Sequence, residues 1–215
     1  MKTIILASFL LLFLNSCALK KEIDRDIEFK IMDKSVKDNS LITLLIKNNT
    51  TSNYYLPIIN SSESEKWKYI LSADENSFFF IYKIVYNSEN KEKNWSSGNC
   101  FAESIIDEEL EKLHELWKQK KKSMEVKDLI LLKSSESIKI KVLININLKI
   151  TKECSWELEN YKNEEELYTT INYPKKDSEL ADKFLSPKTV DNLKQMGYEL
   201  YDKEINSNKV SLILK

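Results

Sequence analysis

Glycine and proline are scarce in this chain: Gly98 and Gly197, and Pro57, Pro174 and Pro187, are all that 215 residues contain. Two isolated glycines cannot build a phosphate-cradling loop or a dinucleotide fingerprint, both of which need clustered glycines where backbone approaches the ligand. Histidine is scarcer still. His114 is the single copy, and His114-Glu115 is not followed by the second histidine of a zinc-protease helix. No Gly-x-Ser-x-Gly elbow exists, so a serine or cysteine nucleophile would have only His114 for its base. An Asp-x-Asp-x-Asp-Gly calcium loop is absent too. Nor does charge of one sign dominate, with 33 basic against 34 acidic side chains and a net charge of −1. A near-neutral, mixed surface carries no electrostatic footprint for nucleic acid. The run Lys118, Lys120, Lys121 and Lys122 reads as the cationic end of a helix, where positive charge suits the dipole. No cofactor, metal or nucleic-acid partner is therefore expected.

What is present begins at the amino terminus. Lys2 supplies a positive charge, Thr3 to Leu14 are almost wholly apolar, and Asn15 and Ser16 lead to Cys17. The apolar run is shorter than the ~18 residues expected of a bilayer-spanning helix, and the three-zone order fits a secretory signal. The tetrad Leu14-Asn15-Ser16-Cys17 resembles the bacterial lipobox. That resemblance implies a diacylglyceryl group on the Cys17 thiol, cleavage before Cys17 and acylation of the new amino terminus by a palmitate-like chain. It covers residues 1–17 alone. It implies a signal peptide over 1–16 and a lipidated tether over 17–26, with the membrane as partner through Cys17. Two or three acyl chains hold far more firmly than one, since each buried CH₂ contributes about 0.8 kcal/mol. Ala18 stands where an Asp favours inner-membrane retention in the enterobacterial version, which points to the outer membrane, on either its periplasmic or its surface face.

Cleavage leaves 215 − 16 = 199 residues, enough for one well-buried core. In an oxidising envelope the remaining cysteines, Cys100 and Cys154, form a candidate disulfide, with two unrelated thiols as the alternative.

The body reads as strands. Ile27, Phe29 and Ile31 share a face, Leu41 to Ile46 is apolar but for Thr43, and Asn48 to Asn53 is turn-rich. Tyr54 to Ile59 is extended with a strand end at Pro57, and Phe78 to Tyr86 (FFFIYKIVY) suits a central strand. Ile138 to Leu148 alternate over eleven residues. Leu167 to Tyr173 and Val210 to Leu214 complete the set. Two helices stand out. Ile105, Ile106, Leu110, Leu113, Leu116 and Trp117 recur at helical spacing, and Ser186-Pro187 opens a second helix that Gly197 closes. The expectation is a mainly β (α+β) fold: an antiparallel immunoglobulin-like sandwich of about eight strands. It forms a single domain over 27–215, with helical insertions near 103–122 and 187–196. ITLLIKNNTTSNYYLPI and SSESIKIKVLINI resemble the immunoglobulin-like domains of small exported bacterial lipoproteins.

Trp67, Tyr69, Trp95, Trp156 and Tyr161 lie in or beside polar stretches, where indole and phenol rings stack on sugars, anchor a protein, or cap the core. Trp95, flanked by Asn94, Ser96, Ser97 and Gly98, is the best binding candidate among them. No catalytic residue is assigned. The reading is a non-catalytic, membrane-anchored binding or structural module with a protein or glycan partner. An envelope-located inhibitor or immunity-type protein is the alternative, and an acid/base hydrolase using paired carboxylates comes third.

Overall fold

Alternation of apolar and polar side chains decides which strands form and which face turns inward. A computed structural model describes residues 26–59, 64–98, 108–160 and 165–214. β1 (Ile27–Ile31), β3 (Ser40–Asn48) and β8 (Ser137–Ile144) form one antiparallel sheet in the order β1-β3-β8. Its period-two pattern buries Ile27, Phe29 and Ile31, then Ile42, Leu44 and Ile46, then Val142 and Ile144. The same pattern leaves Leu41 63% exposed. In the second sheet β11 (Leu167–Tyr173) lies at the centre, flanked on one side by β5 (Tyr82–Asn87) and on the other by β13 (Ile205–Asn206) and β14 (Val210–Ile213). β2 (Ser35–Lys37) completes it by pairing in parallel with β14. Inner residues of both sheets belong to a single hydrophobic cluster, where Leu44 and Ile46 meet Ile171, Tyr173 and Leu212.

The connections between these strands are long and carry most of the helix. β4 (Asn53–Leu56), α1 (Ser64–Trp67) and α2 (Ala73–Phe79) separate β3 from β5. β6 (Trp95–Gly98), α3 (Glu108–Lys122), a 3-10 turn at Val126–Asp128 and β7 (Ile130–Leu132) precede β8. β9 (Asn147–Lys149) and β10 (Ser155–Leu158) follow it, and β10 pairs with both β6 and β9 in a sheet of order β6-β10-β9. α4 (Ser178–Phe184), α5 (Pro187–Gln195) and β12 (Tyr198–Leu200) lie between β11 and β13. β12 pairs in parallel with β4, which pairs antiparallel with β7. These insertions pack around a second cluster that includes Trp67, Phe78, Phe79, Trp117, Phe184 and Leu193. The fold is thus a β-rich α+β arrangement of several sheets and five α-helices among the described residues.

Three expectations change. FFFIYKIVY is not one strand, because Phe78 and Phe79 end α2. Ser72 caps that helix, its Oγ accepting from the Glu75 N–H at 3.3 Å, and Asp74 and Glu75 place negative charge in the first turn. The run from Ile138 to Leu148 breaks at Asn145, whose Oδ1 accepts from the Asn147 N–H at 3.0 Å, the local bond by which Asn diverts a strand into a turn. The count also exceeds expectation, with fourteen strands and five α-helices among the described residues against about eight and two. The first expected helix is seen as Glu108–Lys122, residues 103–107 lying outside the described residues. The second, Pro187–Gln195, begins as read: Ser186 Oγ accepts from the Thr189 N–H at 3.1 Å. Gly197 leaves it with φ +76°. Elsewhere, with so little glycine, Asn39, Asn90 and Asn160 take the left-handed conformation, which Asn tolerates best among residues with a Cβ.

Candidate functional site

Among the described residues, those singled out by sequence form no single site, although Tyr69 and Trp156 meet. Cys17 and Cys100 lie outside the described residues, as does Tyr161. Cys154 is 1% exposed within the second cluster and is disulfide-bonded, to a partner outside the described residues. Trp95 is half-buried and packs against the main cluster, paired in register with Leu158. Trp67, at 4% exposure, packs at a tilt against Trp117, ring centroids 5.4 Å apart. Tyr69 lies 5.1 Å from Trp156. His114 Nε2 is 3.0 Å from the Ile70 carbonyl oxygen, a partner that joins α3 to the end of α1 and cannot relay a proton.

What the fold does assemble is a groove between the β11–β13 insertion and β4. Asp177 caps α4, its side chain accepting from the Glu179 N–H at 3.0 Å, and Ser186 caps α5. The two helices turn Ala181, Phe184, Val190 and Leu193 inward. Gly197 then reverses the chain into β12 beside β4. A cavity of about 290 Å³ results, with Ala181, Val190, Leu193 and Tyr198 as apolar lining. Asp182, Lys194 and Glu199 supply charges of both signs along it. Tyr55 also lines it, and burial together with the nearby Asp182 carboxylate pushes its phenol up to about 12. The hydroxyl stays protonated at neutral pH, a hydrogen-bond donor beside the apolar part of the lining.

Two features outside the groove escaped the sequence. Glu65 bridges Lys68 at 3.0 Å and Lys83 at 2.9 Å, all three nearly buried, and Lys83 Nζ also donates to the Asn145 carbonyl at 3.2 Å. Burial alone would raise the Glu65 carboxyl. Attraction to the two ammonium groups outweighs that and holds it down at about 2. Lys176, 2% exposed, donates from Nζ to the Ser77 carbonyl at the end of α2 and lies 4.2 Å from the Tyr173 ring centroid. No carboxylate pairs with it among the described residues, and burial lowers its pKa to about 7. The only sequence hint is a lysine at a core-facing position of an apolar run, as Lys83 is between Ile81 and Val85.

Every carboxyl group whose pKa is resolved as shifted among the described residues is shifted down, by lysine partners. General acid catalysis asks for the reverse. Among the described residues no cluster of three or more His, Cys, Asp or Glu side chains fits a metal ion. No described helix is long and apolar enough to cross a membrane. No family model matches the sequence, and no curated protein matches it either.

Proposed function

We propose that this chain is a lipid-anchored bacterial envelope protein that binds a protein partner without catalysis, on a frame of immunoglobulin-like type. The strand order supports the frame. In immunoglobulin-like sandwiches strands A, B and E share one sheet and C, F and G the other. In this reading β1, β3 and β8, neighbours in that order, stand for A, B and E, and β5, β11 and β14 for C, F and G. β2 follows β1 in the chain and pairs in parallel with β14 of the other sheet.

The observation that carries the functional reading is the groove built by the insertion between β11 and β13. Binding residues concentrate on connections that a rigid scaffold positions. Here the connection is itself packed against β4 and the second cluster, so its apolar lining and mixed charges are preorganised. Cys17 supplies the anchor in this reading, and the Cys154 disulfide closes onto Cys100.

One fractionation experiment separates the parts. Wild-type chain should incorporate labelled palmitate and sediment with the envelope, and Cys17→Ser should do neither. After solubilisation, wild type should retain one stoichiometric protein that Lys194→Glu/Glu199→Lys loses while still sedimenting. A labelled, sedimenting Cys17→Ser chain refutes the anchor. Equal capture by the charge-reversed chain refutes the groove.

A further inference from the structure

The residues on the outer face of the β1-β3-β8 sheet are exposed or half-buried, and their composition is unusual for a chain of net charge −1. The register sets its rows. Glu28, Lys47 and Ser137 align across the three strands, and Lys30, Leu45 and Lys139 form the next row. Met32 follows, its N–H donating to the Thr43 carbonyl at 3.0 Å, with Thr43 opposite Lys141 and Leu41 opposite Leu143. Four lysines thus stand against Glu28 and against Asp33, whose Oδ2 accepts from the Thr43 N–H at 2.8 Å, a local charge of 4 − 2 = +2. Lys30, Lys47 and Lys139 are exposed and make no ion pair among the described residues. Interleaved with them are two of the most exposed large apolar side chains, Leu41 at 63% and Met32 at 46%, with Leu45 and Leu143 half-buried between.

We infer that this face rests on an anionic lipid bilayer, its lysines among the headgroups and Leu41 and Met32 at the acyl boundary. The composition is that of interfacial amphipathic surfaces: basic residues around a patch of exposed apolar ones. An acidic protein would satisfy the lysines, but would have to offer an apolar counter-patch for Leu41 and Met32. A bilayer surface offers both at once. Chain length agrees, a point that rests on the lipid-anchor reading. Nine residues (26 − 17 = 9) separate Cys17 from Ile27, the first residue of β1. Fully extended they reach about 30 Å, less than the ~40 Å diameter of a compact domain of this size. An acylated Cys17 would therefore hold the edge of this sheet near the membrane.

The test uses the full chain carrying Cys17→Ala, which bears no acyl group, so that failure of the anchor reading and failure of this one are distinguishable. Partitioning is measured into phosphatidylcholine vesicles and into vesicles that also contain phosphatidylglycerol. The apolar amino-terminal segment is common to every variant, so the ratio of the two partition coefficients isolates the charge effect. We expect Lys30→Gln/Lys47→Gln/Lys139→Gln to lower that ratio at least about tenfold, since a lysine at an anionic surface contributes roughly a factor of five. Lys112→Gln/Lys122→Gln/Lys188→Gln, on α3 and α5, should leave it unchanged. Met32→Ser/Leu41→Ser should weaken binding to both vesicle types. An unchanged ratio in the face variant, or an equal fall in the helix variant, overturns the proposal.

Discussion

Replacing Lys176 by methionine isolates the effect of burying one ammonium group. Its Nζ has a carbonyl and an aromatic ring for company and no counter-ion among the described residues. The ring attracts the buried cation by about 2 kcal/mol or more. Several kcal/mol oppose it for withdrawing an ion from water, so the neutral amine is favoured and the pKa falls from 10.5 to about 7. In the unfolded chain the group titrates near its ordinary value. Between those two values the unfolded state binds more protons, so stability rises with pH across the window. Below about 7 the group is protonated in both states and the full burial penalty applies. The whole window corresponds to ~5 kcal/mol at 1.36 kcal/mol per unit. Raising the pH from 7 to 9.5 realises ~3 kcal/mol of it. Tyr55, Tyr69 and Tyr82, held at about 12 by burial, oppose this only above their unfolded value of 10, as their stabilisation is then lost. Urea unfolding followed by tryptophan fluorescence at pH 7 and 9.5 reads the effect directly. Wild type should gain ~3 kcal/mol, and Lys176→Met should be more stable at pH 7 and gain little. A flat wild-type profile, or an equal rise in the variant, would refute the reasoning.

Glu65→Gln should cost about 3–5 kcal/mol at neutral pH, because it leaves two buried ammonium groups without their carboxylate; urea midpoints measure it. The acid side should show the same site. The Glu65 carboxyl at about 2 lies below its ordinary 4.5, so its contribution is present above 4.5 and lost as pH falls toward 2, a loss absent from Glu65→Gln. Gly197→Ala should destabilise by about 1–2 kcal/mol through φ alone. The nearest atom to an added Cβ is Asn53 Nδ2 at 4.0 Å, and φ is +76°. Gly197→Asn should recover part of the melting temperature, and a larger loss with Asn than with Ala would show that crowding, not backbone conformation, governs the site.

Strands whose two faces differ are legible in the amino-acid pattern itself. Ile27, Phe29 and Ile31 fall on the core face as their spacing requires, and the Ser186-Pro187 start and the Gly197 stop coincide with α5. Where aromatic content competes with a local cap, composition misleads: Ser72 and Glu75 mark the start of α2, yet three phenylalanines suggest a strand. The groove is illegible for a different reason. Tyr55, Ala181 and Tyr198 come from segments whose proximity is set by the parallel pairing of β12 with β4, and nothing local encodes that pairing. Trp95 misleads in the opposite way. Its neighbours are polar, but register places it opposite Leu158 and against the core.

The parallel pairing of β2 with β14 also governs when the molecule can finish folding. Val36 is matched to Leu212, and the Ile31 N–H donates to Asn208 Oδ1 at 2.7 Å across 177 positions of chain. Closing so long a loop costs entropy before any contact repays it, which makes such pairings late events. A chain that folds as it is made therefore leaves β2 and the Ile31 N–H without these partners until Asn208 and Leu212 are out. The β1-β3-β8 and β6-β10-β9 sheets need no residue beyond Leu158, so the β2–β14 pairing is the step that joins the two ends of the described chain.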